Sequence, residues 1–304
     1  MELDPRINAV RDDLADRRLQ SLANSARYAD GTPGLVNSGL VAVLKAPNES
    51  SEVQTYYYFG EEITVFDRVG DYLWCQSSFD RYVGYVLKDK VEIDSLNSGG
   101  HFIATMGSYI YSSPDLRTRA FDFLPRHARV HVIEVDIEVR GSRYVRLSNG
   151  FYLLDSCVSV TPPTSIDIAA AAAKYLGCPY LWAGKSFLGV DCSGLIQNCF
   201  RDIGDKVLRD TDMQRETIGV GSQVDDIDAL ERDDLLYMPG HVMVYEGHGT
   251  VIHADGKSMT VRREEIAEFL QSRALSLKSM TVRRPDRKRP EALKGAFEDN
   301  RNGG

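Results

Sequence analysis

Residues 189–200 read "GVDCSGLIQNCF". Cys192 sits between Asp191 and Ser193, Gly194 follows, and Leu195, Ile196, Cys199 and Phe200 then recur at helical spacing. This spacing predicts a helix that begins near Cys192 and buries one face. A cysteine in the first turn of a helix meets the positive end of the dipole and unpaired backbone N–H groups, which favour its thiolate. The same donors can hold an oxyanion. Position alone also suits an inert core thiol, because free cysteines are among the most buried residue types.

The company of Cys192 separates the two readings. His241 opens the strand-like "HVMVY" directly after Pro239 and Gly240, and His253 lies in "VIHAD". An antiparallel pair closed by the turn "EGHGT" would bring both imidazoles to one face. In the order Cys, His, His the residues can serve as nucleophile, base and orienting group. Lowering the thiol pKa raises the reactive fraction only ~10- to 50-fold. A positioned imidazole that relays the proton to the leaving amine adds ~10²- to 10⁴-fold. The histidines therefore matter more than the dipole. Cys192, His241 and His253 are also zinc-compatible donor types, but no short-spaced ligand pair accompanies them, so neither a metal nor a cofactor is expected.

Moving upstream, "SIDIAAAAAKYLG" (165–177) predicts a helix with Ser165 as N-cap and Gly177 as stop. The prolines of "TPPTS" (161–165) mark a linker before it. Helix, helix and then strands is an α+β order. Ahead of the linker, "LVAVLKA", "EEITVFDRV", "DYLWCQSS" and "YVGYVLK" alternate with turn formers and predict a small all-β barrel. The pattern recurs: "HFIATMGSYIYSSPDL" repeats "SGLVAVLKAPNES", "ARVHVIEVDI" repeats "EEITVFDRV", and "RYVRLSNGFYLLDSCV" repeats "YLWCQSSFDRYVGYVL". The expected organisation is an N-terminal extension (1–34), two related β modules (35–97 and 98–160), an α+β domain (161–284) and a mobile charged tail (285–304).

The 36 Lys and Arg against 44 Asp and Glu give a formal net charge of −8, which disfavours nucleic acid as a partner. No run reaches the ~18–20 apolar residues that span a bilayer, and "MELDPRINAVRDDLADRRLQ" lacks the apolar core of a secretory leader. Five cysteines without regular spacing argue against a disulfide framework, so a reducing, cytoplasmic setting is expected. Cys75, Cys157, Cys178 and Cys199 read as core thiols, and His101, His127, His131 and His248 as structural or surface residues.

The stretches "YLGCPYLWAGKSFLGVDCSGLIQ", "RDTDMQ", "DDLLYMPGHVMVYEG" and "VIHADGKSM", in this order, resemble the NlpC/P60 cysteine peptidases. Upstream, "DPRINAVRDDLAD", "FGEEITVFD" and "YVGYV" are similar to members that carry two N-terminal bacterial SH3 (SH3b) modules. The resemblance implies a multidomain chain, two small all-β SH3-like barrels followed by an α+β papain-like domain. It also implies hydrolysis of the γ-D-glutamyl bond to a diamino acid in murein peptides that carry a free N-terminal L-Ala.

Cys192 would be the nucleophile, His241 the general base and acid, His253 its orienting partner, and Tyr180 a neighbour of the nucleophile at the oxyanion. Asp191 and Ser193, with Glu61 and either Tyr82 or Tyr85, would receive the peptide amine. Trp182 would border the substrate. Asp210 or Thr211 of "RDTDMQ" either caps a helix or lines the substrate groove. Two departures stand out. The family usually carries "WGG" where this chain has Trp182, Ala183 and Gly184, and "DGYVGYV" where it has "FDRYVGYV". The alternative functions are a chain that holds murein fragments without turning them over and an NlpC/P60 hydrolase that acts on a different amide.

Overall fold

The computed structural model describes residues 3–95, 99–222 and 224–285. The chain divides into two compact units: one runs to Pro163 and includes Trp182–Gly189, and the other combines Thr164–Leu181 with the chain from Val190 onward. The expected tail, apart from Pro285, lies outside the described residues.

In the first unit, seven antiparallel strands pair in the order 53–58, 40–44, 83–87, 72–77, 62–69, 32–36 and 91–93. Alternation drives their burial: Val41 and Val43 face a core shared with Tyr57, Ile63, Leu73, Cys75 and Val86. Trp74, on the opposite face, is covered by Ala9 and Leu14 of the N-terminal segment, together with Phe66 and Val83. This explains why Tyr72–Ser77 is buried along both faces.

A second set of strands repeats that order. Residues 120–125, 107–111, 152–154, 142–147 and 132–139 form one sheet, and 129–130, 101–103 and 158–159 form another. The long 62–69 strand is matched here by two pieces, 129–130 and 132–139. Ile103, Ile110, Leu124, Val145, Leu147 and Leu153 fill its own core.

Both departures from the family pattern fall on left-handed backbone. Arg81 has φ 64° and Ala183 φ 63°, a region in which glycine escapes the Cβ clash that other residues suffer. Ala183 is buried, and the loop around it is tied down within the first unit. Tyr58 Oη donates to the Lys185 carbonyl, and Lys185 Nζ lies 3.6 Å from Asp80 Oδ2 with both side chains fully buried. These contacts hold a conformation that alanine alone disfavours.

The second unit starts with α1 (Ile168–Ala173), which Asp167 caps by accepting the Ala170 N–H at 2.6 Å. The cap is therefore Asp167 and not Ser165, whose N–H instead donates to the Asp202 carbonyl at 2.7 Å. The helix ends well before Gly177, whose φ of 81° serves the turn that follows. Its alanines let α2 (Cys192–Asp202) pack close.

Nearly all of α2 is buried, including Gln197 and Asn198, so the single apolar face expected from its spacing is too narrow a description. A six-stranded sheet in the order 220–222, 281–284, 235–238, 241–247, 250–255 and 260–265 supports α2. It also carries α4 (Ile266–Ser272) over a core that includes Met243, Tyr245, Val251, Phe269 and Val282. Between α2 and this sheet's first strand runs α3 (Thr211–Thr217).

Replacing Ala183 with glycine removes the left-handed penalty of ~1–2 kcal/mol at the cost of a more flexible unfolded chain, for a net gain of roughly 0.5–1 kcal/mol. A higher urea midpoint for A183G than for the parent protein is the expected result, and an unchanged or lower midpoint refutes the strain.

Candidate active site

Asp191 sets the start of α2. Its extended backbone places Oδ1 2.7 Å from the Gly194 N–H, which it accepts as N-cap. Oδ2 accepts from Arg209 Nη2 at 2.7 Å, and Arg209 Nη1 donates to Ser193 Oγ at 2.7 Å. Arg209 is 1% exposed, so its charge is matched inside the protein and not by water. Fully buried Gln214, from α3, donates to the carbonyls of Ser193 and Leu208 at 3.0 and 2.9 Å. The helix start that presents Cys192 is thus held from three sides.

The Cys192 thiol is 5% exposed at residue level, and Sγ lies 3.9 Å from the Gly240 carbonyl, one residue before His241. Burial, reinforced by the Asp191 carboxylate, pushes the thiol up to about 12, against the pull of the Val242 and Ser193 backbone N–H groups and of Arg209. The strands 241–247 and 250–255 pair antiparallel with Val244 opposite Ile252, which puts His241 and His253 on one face. His241 Nε2 and His253 Nδ1 are 2.9 Å apart.

Phe269 of α4 backs both rings, stacked on His241 and edge-on to His253. Burial, with His253 and Arg273 adding to it, lowers His241 to about 4. Burial, with Arg273 and Arg262, likewise lowers His253 to about 4, while Asp255 acts in the opposite sense. At this distance one ring donates a hydrogen bond to the other.

His253 is fully buried and its Nε2 lies 3.1 Å from Glu264 Oε2. The sequence reading passed over Glu264, which sits in the charge run "VRREE". The signal lay in the register: His253 pairs with Arg262 across the hairpin, so Glu264, two residues on, shares its face. Arg209 and Gln214 were also missed, although both stand in the quoted "RDTDMQ".

The remaining expected residues are placed as follows. Tyr180 bonds to the Met259 carbonyl through its N–H at 2.9 Å, and burial, with Cys192 and Asp191 nearby, pushes its phenol up to about 12. Asp210 occupies the N-cap position of α3 without a side-chain cap bond, and Thr211 opens that helix. Trp182 is exposed.

Glu61, Tyr82 and Tyr85 belong to the first unit. There the buried Glu61 accepts from Ser77 Oγ and from the Tyr58 N–H, Tyr82 is buried with its N–H on Asp80, and Tyr85 Oη accepts from Arg11. Cys75, Cys178 and Cys199 are buried core thiols and Cys157 is half-buried. His248 is exposed in its turn.

A thiol at a capped helix start, 3.9 Å from the carbonyl that precedes His241, is an arrangement suited to a cysteine peptidase. Comparison with known proteins agrees. Residues 177–278 match the NlpC/P60 family, and residues 43–91 match the bacterial dipeptidyl-peptidase SH3 domain. The chain is 29% identical over 228 residues to the gamma-D-glutamyl-L-lysine dipeptidyl-peptidase of Bacillus subtilis, covering 69% of this chain and 75% of that protein. It is 24% identical over 241 residues to dipeptidyl-peptidase 6 of Lysinibacillus sphaericus, covering 68% and 82%.

An NlpC/P60 family protein from Bacillus cereus shares the fold, with a TM-score of 0.66 at 19% identity over 84% of this chain and 99% of that one. The chain therefore carries an NlpC/P60 cysteine-peptidase domain together with a bacterial SH3 domain.

Two outcomes are expected. Removing the buried countercharge in Arg209→Met strands Asp191 and should cost ~3–5 kcal/mol of stability, read by chemical denaturation; a loss below ~1 kcal/mol would show that the pair does not hold the helix start. Burial lowers His241 toward about 4, so with this histidine as the expected base, which must be neutral to accept a proton, activity should persist as pH falls through 6.5. The acid limb of kcat/KM should lie well below 6.5, and a limb at or above that value contradicts the buried, neutral base.

Proposed function

We propose that this peptidase hydrolyses the bond between γ-D-glutamate and the diamino acid in murein peptides whose N-terminal L-Ala carries a free amine. The observation that carries the chemistry is the buried Cys192 thiol beside Gly240, with His241 engaged through Nε2 by His253 at 2.9 Å. The names of the similar dipeptidyl-peptidases support the bond. A reducing, cytoplasmic setting is part of this proposal, on the irregular spacing of the five cysteines.

The resting pair is a neutral thiol and a neutral imidazole, because burial disfavours both charged forms. On attack the Cys192 S–H bond breaks and its proton passes to Nδ1 of His241, the ring nitrogen not already bonded to His253. The sulfur then bonds to the glutamyl side-chain carbonyl carbon. Backbone N–H groups at the start of α2, with the protonated Tyr180 phenol, stabilise the oxyanion. Collapse breaks the C–N bond, and His241 delivers its proton to the departing amine of the diamino acid. Water, losing a proton to His241, then cleaves the thioester and restores the thiol.

In the amine subsite, the committed oxygens of Asp191 make it a helix cap first, so its contribution to an ammonium is that of a charge already shared with Arg209. Glu61, with Tyr82 or Tyr85, is the further set proposed to receive the amine. The repeated strand order supports reading residues 98–160 as a second SH3-like module after 35–97, with the peptidase domain over 161–284.

Incubation with L-Ala-γ-D-Glu-meso-diaminopimelate, its L-lysine counterpart and their N-acetylated twins tests the reading by mass spectrometry. Release of the diamino acid from the free-amine peptides alone is the expected outcome, and cleavage of the acetylated twins discards the amine requirement. Cys192→Ala should lower release by at least ~10³-fold; full activity in that variant rejects the mechanism.

A further inference from the structure

We propose that Glu264 is a positioning residue for the hydrolysis, one that fixes through His253 which nitrogen of His241 receives the thiol proton. The inference rests on the thiol mechanism above and extends it by one residue.

The geometry works outward from the carboxylate. Glu264 Oε2 lies 3.1 Å from His253 Nε2, and a carboxylate can only accept a hydrogen bond. The His253 proton therefore sits on Nε2, leaving Nδ1 as a bare acceptor. That nitrogen faces His241 Nε2 at 2.9 Å, so His241 must donate there. Nδ1 of His241 is then the lone pair left to take the proton from Cys192.

The opposite tautomer breaks the chain. A proton on Nδ1 of His253 would force His241 Nε2 to accept, placing the His241 proton on Nδ1 and closing that nitrogen to the thiol. His253 is fully buried, so water offers it no free choice of partner.

Its own strand and the register with the strand of His253 keep the carboxylate where this requires it. Arg262 Nη2 holds Glu264 Oε1 at 3.2 Å, and the hairpin register places Glu264 on the same face as the residue opposite His253. Other charges around the pair are Asp255 and Arg273, which bear on both rings, and Arg262 itself. None of these is hydrogen-bonded to His253 Nε2 among the described contacts, so Glu264 alone selects the tautomer there.

The test uses the full chain with Glu264→Gln and Glu264→Asp. The glutamine keeps the shape but can turn an N–H toward His253 and so admit the wrong tautomer. Expected for E264Q is a kcat lowered roughly 10- to 100-fold with KM within about twofold. E264D, which keeps the charge, should lose less. Nitrogen-15 NMR of His253 should report protonated Nε2 in the parent and protonated Nδ1, alone or mixed, in E264Q.

The rate of Cys192 alkylation by iodoacetamide, corrected with Cys192→Ala, should fall in parallel. Alkylation needs no peptide, so a wrong choice of substrate leaves this arm intact. A parental tautomer in E264Q overturns the proposal, whatever its activity, as does an unchanged alkylation rate. Glu264→Gln unfolding at a lower denaturant concentration while keeping parental tautomer and alkylation would assign Glu264 to structure alone.

Discussion

The buried ion pair between Asp191 and Arg209 is the constraint on which the reacting end of the peptidase domain depends. One carboxylate closes the first turn of α2 at Gly194 and at the same time neutralises an arginine that water does not reach. Either task alone is available to many residues, since serine or asparagine caps a helix nearly as well. The combination demands a charged acceptor with two free oxygens, because an arginine 1% exposed cannot be left without an anion. Ser193 and Gln214 then follow from the same placement, one bonded to the guanidinium and the other to the Ser193 carbonyl. The thiol inherits its position from this network.

That network also sets the electrostatic compromise at Cys192. Asp191, one residue away, opposes thiolate formation, while Arg209 and the N–H groups of Ser193 and Val242 favour it. Burial outweighs the favourable groups and leaves a protonated thiol at rest. A permanently ionised sulfur would be the better nucleophile but also the group most open to oxidation. In the proposed reaction a neutral pair instead creates the nucleophile only as the proton moves to His241, which makes the rate depend on the alignment of the imidazoles. This gives physical meaning to Phe269, whose ring stacks on one histidine and meets the other edge-on.

Much of this was legible in the sequence because it rests on local periodicity. The helix after Asp191 follows from apolar spacing, the histidine pair from a short turn between two alternating strands, and the repeated β order from recurrent Val and Tyr patterns. The N-cap of α1 was misread because Ser165 and Asp167 are both good caps, and only the fold decides, by pairing the Ser165 N–H with Asp202. Glu264, Arg209 and Gln214 escaped for another reason. Each is a polar residue in a polar run; the burial of Arg209 and Gln214 arises from long-range packing that no window of sequence records, and the place of half-buried Glu264 follows only from the register of its strand with that of His253.

The two left-handed residues bear on how a family pattern is read. Ala183 and Arg81 occupy positions where the family usually has glycine, and a side chain there is sterically disfavoured. The backbone nevertheless keeps the left-handed conformation at both. At Ala183 the reason is visible, since Lys185 is fixed nearby by Tyr58 and by its buried ion pair with Asp80. Asp80 also accepts the Tyr82 N–H, one residue beyond Arg81, so the same carboxylate braces both strained positions. A glycine in a motif thus records a conformation, and the conformation outlasts the glycine when neighbouring contacts over-determine it.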